Sequence, residues 1–282
     1  MRMEAFLSSF YLYLALILGL LIGSFLNVVI YRLPIMLMHD STEEACAAPV
    51  NLWWPPSHCP NCQHNIMPWD NIPVLSWLWL RGKCRYCHGH ISFIYPLSEA
   101  LIGAGYMALV FWYYPHYSLT QLAFLALFFS ALYTLAMIDF KTYLLPDCLV
   151  FLLLWAGLIA CVRNLIPLSP RDCVMGAVII WAFSWSMAHV FTWVTGREGF
   201  GQGDVKLFAA CGVWLGADNI AALMLGSAGL GALFFLIQAV NKRFAKKNSD
   251  ADEFAAQGYI PFGPAICITA AVLMCSEVLT HG

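Results

Sequence analysis

The chain has 282 residues, of which 61% are hydrophobic and 11% charged, with a formal net charge of −2. A soluble domain carries about 25% charged residues, and a mean hydropathy of +0.72 leaves too little polar surface to cover a water-soluble globule. These values exclude a soluble enzyme, a disordered chain and a nucleic-acid binder, which would need a basic face. The chain reads as an all-α polytopic membrane protein, and its few charges become the informative residues.

A spanning helix needs about 20 apolar residues. Residues 5–31 contain no Asp, Glu, Lys or Arg and form the first predicted span. Its apolar run is too long for a signal peptide, Glu4 lies in its leading region, and no small-x-small cleavage site follows, so it reads as a retained helix. Residues 100–138 are also uncharged, too long for one crossing and broken at Pro115-His116. They predict helices near 97–114 and 120–138. Further spans are predicted near 148–166, 173–195, 205–217, 220–240 and 260–279, about eight in all. The sixth is short and carries Lys206 near its start.

With eight spans, one set of loops carries Arg32, Arg81, Lys83, Arg85, Lys141, Arg197, Lys206, Lys242, Arg243, Lys246 and Lys247, and the other only Arg2, Arg163 and Arg171. The positive-inside rule turns the first set to the cytoplasm and both termini outward. The expected organisation is a first transmembrane helix (1–32), a hydrophilic cytoplasmic loop (33–95) and a seven-helix membrane domain (96–282). The stretch 241–258 reads as a charged, solvated cytoplasmic loop.

Four of the eleven cysteines form a pattern in that first loop: Cys59 and Cys62 in CPNC, Cys84 and Cys87 in CRYC, with 21 residues between the pairs. Two C-x-x-C knuckles at this spacing read as a tetrahedral four-thiolate zinc site of the closed, structural kind. A metal staple would supply folding free energy to a loop with little core of its own. Two disulfides compete, but a cytoplasmic loop keeps its thiols reduced. CRYCH also matches the C-x-x-C-H haem-attachment pattern, which would leave CPNC unexplained. His58, His64, His88 and His90 crowd the site; one of them could replace a Cys, and the simpler reading makes them surface residues. The other cysteines read as small apolar residues.

Ionisable groups near a membrane are costly and are functional candidates by default. Asp139 ends the third predicted span, at the negative end of the helix dipole, where a carboxylate is disfavoured; pairing with Lys141 is the bland alternative. Asp204 opens the sixth span, where an N-cap role competes. Gly199, Gly201 and Gly203 precede it at alternate positions, a permissive backbone able to admit an extended peptide beside the carboxylate. Asp147, which reads first as an N-cap, and Lys206 lie close in sequence to these segments and are candidates for contact with the same substrate. Two spans separate Asp139 from Asp204, and two more separate the cysteine loop from Asp139. All three features therefore share one membrane face. Two carboxylates at one depth can share a proton as an aspartic dyad, one activating water and the other polarising a scissile carbonyl. Glu99, beside Pro96 where the second span begins, is a helix-start carboxylate or part of a second polar site. A proton- or cation-coupled transporter built on Asp139 and Asp204 is the main non-enzyme alternative. Transporter sites lie near the midplane, whereas these carboxylates lie at an edge. A membrane scaffold docking a partner through its zinc loop is a second.

The segments GSFLNVVIYRLP (23–34), CPNC (59–62), IPVLSWLWLRGKCRYC (72–87), ISFIYPLSE (91–99), IDFKTYLLPD (138–147), GREGFGQGDVKLFAACGVWLG (196–216) and PFGP (261–264) together resemble those of type IV prepilin peptidases. The resemblance runs from about residue 20 to 265. It implies a GxGD aspartic protease with its dyad at Asp139 and Asp204, Asp139 being the residue that matches the start of the family's D-x7-D segment. It implies cleavage of prepilins and pseudopilins on the cytoplasmic side of the bacterial inner membrane, after the glycine that closes a short basic leader. It further implies methylation of the new N-terminal residue, usually Phe, with S-adenosylmethionine. The four-Cys loop, lost in some peptidase-only relatives, favours the bifunctional form; peptidase activity alone is the alternative. Ser98 and Phe200 depart from the common pattern, and residues 36–57 match none of it. No glycine-rich strand-turn-helix derives a methyl-donor site; Glu99 is the candidate contributor. Asp70 and Glu43 are candidate attractors for the basic leader.

Overall fold

The computed structural model describes residues 2–40, 51–196, 201–244 and 261–281. Gly199 and Phe200 of the glycine run, Glu43, Glu44 and Cys46 of the first loop, Arg197, and residues 245–258 of the charged stretch 241–258 lie outside the described residues. The regular elements are α1 (Arg2–Asp40), α2 (Leu75–Trp79), α3 (Ile94–Tyr113), α4 (Leu119–Thr142), α5 (Asp147–Val162), α6 (Pro170–Thr195), α7 (Gln202–Leu215), α8 (Ile220–Phe244) and α9 (Gly263–His281), with a 3-10 turn at Pro68–Asn71. The break expected at Pro115-His116 falls between α3 and α4. Five segments are long and apolar enough to cross a membrane: Ser9–Met38, Ile94–Tyr113, Leu119–Thr142, Pro170–Thr195 and Ile220–Ile237; α5 and α9 are shorter apolar helices. The chain divides into two compact units, residues 1–126 and 127–282.

In the first unit α1 packs along α3. Small residues at the crossing let the backbones approach, as is common between membrane helices. A Cβ at Gly19 would lie 2.8 Å from the Cα of Gly103, and one at Gly23 would lie 2.9 Å from the Cα of Glu99. α1 does not stop at the charged Arg32; it continues through Pro34 to Asp40. Arg32 is only 7% exposed. Its guanidinium donates to the carbonyls of Asn51 (3.0 Å), Leu52 (3.4 Å) and Pro55 (2.6 Å), mooring the loop that follows to the helix.

The second unit is organised around α7. Val205 and every residue of α7 from Leu207 to Leu215 are buried, with α5, α6 and α9 packed against the helix. This explains why it looked weak as a span. At about 21 Å it falls short of the roughly 30 Å hydrocarbon thickness, but its neighbours are protein rather than lipid. Trp214 anchors its far end. The indole Nε1 donates to the carbonyl of Leu153 at 2.9 Å, its ring centroid lies 4.8 Å from that of Phe128, and Gly157 leaves the room it fills, since a Cβ there would come within 2.6 Å of the indole nitrogen. By contrast α6 exposes Trp181, Phe183, Trp185, Val190 and Trp193, the face expected to meet lipid.

A disulfide joins Cys161, at the end of α5, to Cys173, in the first turn of α6. These two cysteines are therefore a covalent staple and not the small apolar residues expected of them. The crossing of α6 on α7 is made by Gly176 and Gly212. A Cβ on Gly176 would run into the carbonyl oxygen of Gly212, and one on Gly212 would come within 2.8 Å of the carbonyl oxygen of Gly176. Gly176→Val is thus expected to force the helices apart and to cost about 1–3 kcal/mol, the usual penalty of overpacking, read as a lowered apparent Tm in detergent. An unchanged Tm would contradict this packing.

Candidate functional site

Two sites emerge, one in each unit. In the first, the two knuckles fold alike. Gln63 and His88, each immediately after the second cysteine of its pair, adopt left-handed backbone (φ 56 and 54). Their N–H groups donate back to the carbonyls of Cys59 (2.9 Å) and Cys84 (3.0 Å), while the N–H groups of Cys59 and Cys84 donate to the carbonyls of His64 (3.0 Å) and Gly89 (2.9 Å). Each turn is closed by a bridge, His58 with Asn65 and Lys83 with His90. This repeated geometry turns all four sulfurs inward, within 4.8 Å of one another, in an arrangement that could hold a metal ion.

The spacing identifies the kind of group that fits. Sγ of Cys59 lies 3.8 Å from that of Cys87, and Sγ of Cys62 lies 4.0 Å from that of Cys84. A tetrahedron with metal–sulfur distances of about 2.3 Å has edges of about 3.8 Å, whereas a disulfide closes to about 2.05 Å. The N–H groups of Cys62 and Asn61 pull the Cys59 thiol down to about 6 against the opposing effect of burial, while burial and the neighbouring thiols push Cys62 up to about 11, so the cluster as it stands readily gives up a first proton and holds the next. Two of the four histidines near the site have other contacts: His58 Nδ1 lies 3.2 Å from the Pro56 carbonyl, and His64 packs on Tyr86 with ring centroids 3.7 Å apart.

Around this centre the loop is tied down by two carboxylates. Arg85, inside the second knuckle, donates from Nε to Asp70 at 2.7 Å and from a second nitrogen to its other oxygen. That fork holds Asp70 below its usual range, so its charge is already satisfied and not free to attract a basic leader. Glu99 is buried on α3. One of its oxygens accepts the N–H of Val74 at 2.7 Å, and its carboxylate also accepts from Ser24 of α1. Beside it, Ser98 donates to Asn27 of α1 at 2.7 Å. Glu99 thus lies where the loop, α1 and α3 converge.

The second site is at one end of the second unit. Asp139 lies in the last turn of α4, Asp204 in the first turn of α7 and Gly263 at the first position of α9. Asp139 is 5% exposed and is not paired with Lys141 among the described ion pairs. Its Oδ2 instead accepts the N–H of Gly263 at 2.9 Å. A Cβ at residue 263 would come within 2.7 Å of that oxygen, so only glycine permits the approach. Asp204 is half-buried and within electrostatic reach of Asp139. Cys267 lies one turn along α9 from Gly263, and Val205, Phe208 and Cys211, which follow Asp204 on α7, are buried.

The N-cap of α7 is Gly201, not Asp204. Gly201 is exposed, and a Cβ there would meet only the carboxylate of Asp204, at 3.1 Å. Gly203 is different: a Cβ there would meet Leu145 at 3.1 Å, so its missing side chain makes room for this chain's own connector. Asp147 is likewise not the N-cap of α5, a position held by Pro146. Both its oxygens accept from Lys206 Nζ at 2.8 Å. Sequence reasoning gave Gly263 no role. Its signal was the PFGP segment, a glycine at a helix start, which becomes meaningful only once α9 is placed against Asp139.

The Bacterial Peptidase A24 N-terminal domain matches residues 17–114, and the Type IV leader peptidase family matches residues 126–236. A prepilin leader peptidase/N-methyltransferase of Pectobacterium carotovorum subsp. carotovorum is 42% identical, covering 89% of this chain and 88% of its own. The proteins of the same name from Stutzerimonas stutzeri and Dickeya chrysanthemi are 41% and 37% identical, covering 92% and 99% of this chain and 89% and 98% of theirs. No solved structure matches. Matched in both units and aligned with these relatives over nearly its whole length, the chain belongs to the type IV leader peptidase family.

Proposed function

We propose that this chain is a prepilin leader peptidase and N-methyltransferase of the bacterial inner membrane, with eight spans, its peptidase centre and cysteine loop facing the cytoplasm. What supports the peptidase reading is that Asp139 and Asp204, at helix ends 65 residues apart in sequence, lie within electrostatic reach of each other in the second unit. Two neighbouring carboxylates do not readily ionise together, so the pair shares a proton. The ionised member takes a proton from a water molecule as its oxygen attacks the scissile carbonyl. The protonated member donates a hydrogen bond to the carbonyl oxygen and then supplies a proton to the departing nitrogen. Gly263 holds one oxygen of Asp139 in place. Exposed Gly201 gives an extended substrate backbone access to Asp204. The apolar helix of a prepilin would lie laterally among the spans, leaving its basic leader on the cytoplasmic side.

The four thiols of the first unit fit a structural zinc ion, held by Cys59, Cys62, Cys84 and Cys87; with no open position its role would be to fix the loop. Methyl transfer is supported by the names of the relatives and by the presence of that loop. S-adenosylmethionine would supply the methyl group. Among the described residues no glycine-rich strand-turn-helix is present to hold it, so no step is derived through it. Glu99 is the buried carboxylate at the convergence of loop and spans, and it would serve by accepting the proton that the pilin amine loses.

Asp139→Asn and Asp204→Asn, each in detergent-purified full-length protein, are expected to lower prepilin cleavage by about 10²–10⁴-fold, the range for general acid–base groups, with expression retained. Either variant cleaving at the wild-type rate would refute the dyad. Wild-type protein is expected to contain one zinc per chain by elemental analysis, and Cys59→Ser combined with Cys84→Ser to lose it. Unchanged zinc in that variant would reject the four-thiolate site.

A further inference from the structure

The connector from α4 to α5, residues 143–146, carries neither aspartate of the dyad, yet it is fastened to the start of α7 at two points. Leu145 lies against Gly203, with an added Cβ only 3.1 Å from the Leu145 Cβ. Just beyond it, Asp147 receives Lys206 Nζ on both carboxylate oxygens at 2.8 Å. The first fastening is one residue before Asp204 and the second two residues after it, so together they bracket that residue on α7. On the other side they reach back to Asp139 through a short run of chain. Tyr143, in left-handed backbone (φ 56), donates its N–H to the carbonyl of Asp139 itself at 2.9 Å and turns the chain out of α4 toward α7.

The ion pair is too exposed to matter much for folding. The Lys206 and Asp147 side chains are 38% and 54% exposed, and pairs of that kind contribute little to stability. What it fixes is placement. A symmetric two-oxygen contact sets distance and orientation together, and a catalytic pair must be held to within about 0.5 Å to function. We infer that Lys206 and Asp147 form a positioning clamp that sets the placement of the α7 start, and hence of Asp204, against the end of α4 that bears Asp139. This rests on the aspartate-dyad reading. It also replaces the expectation that these two residues contact the substrate.

The test is cleavage kinetics of a prepilin by full-length protein in detergent, with thermal stability followed in parallel. Misplacing catalytic groups by about 1 Å costs about 100-fold. Lys206→Met and Asp147→Asn are therefore each expected to lower kcat by about 10- to 100-fold, with KM and Tm near wild type. The combined variant is expected to be no worse than either alone, because both remove the same contact. Lys206→Arg should recover most of the loss, and exchanging the charges (Lys206→Asp with Asp147→Lys) should restore activity at least about tenfold over either single reversal. Unchanged kcat in both single neutral variants would overturn the clamp. So would losses that multiply in the combined variant, an effect confined to KM, or an exchange no more active than its single reversals. Should the reversals fail to fold, the neutral pair and its combination still decide the matter. Failure of the underlying dyad reading is separately visible: Asp204→Asn would then retain cleavage, whatever Lys206 does.

Discussion

A carboxylate at the C-terminal end of a helix faces the negative end of the helix dipole. Asp139 occupies that unfavourable place on α4, and the second unit is built so as to offset it. The start of α9 is brought to the same point, and its first N–H, that of Gly263, is given to Asp139. The start of α7 brings Asp204 to the same place. Two positive helix ends are thus set against one negative end around two acids, and the approach is close enough that residue 263 must be glycine. The burial of α7 along most of its length seats this junction on a packed helix.

The cysteines of the two units are in different chemical states. α5 starts at the dyad end, with Asp147, and finishes at the opposite end, where Cys161 is bonded to Cys173. Disulfides persist in oxidising compartments. The four loop cysteines are free thiols at metal-ligand spacing. The chain therefore carries a covalent staple in its second unit and a cluster of free thiols in its first.

Much of this was legible because it is encoded locally. The cysteine spacing set the knuckles, uncharged runs set the positions of the long helices, and Asp139 and Asp204 stood out as acids at helix ends on one face. What escaped has a common cause: it depends on partners distant in sequence. The sixth span looked weak because it is short and carries Lys206 near its start; that its neighbours are protein rather than lipid shows only once the helices are packed. Arg32 was read as a topology marker, whereas it is buried and spent on three loop carbonyls. Asp147 and Lys206 lie 59 residues apart, and neither sequence context announces the other. The capping residues of α5 and α7 were each assigned to the nearest acid, while Pro146 and Gly201 hold those positions. Cys161 and Cys173 gave no motif, because a single pair twelve residues apart has no signature until the turn between two helices brings its members together.

The central claim is that Asp139 and Asp204 come together, and proximity can be measured without reference to activity. Asp139→Cys combined with Asp204→Cys, treated in native membranes with a short bis-methanethiosulfonate and analysed by peptide mass spectrometry, reports it directly. The expected result is a linked peptide pair joining positions 139 and 204. If both positions are modified separately and no linked pair forms, while Cys161 and Cys173 remain joined in the same sample, the two acids do not meet and the account fails.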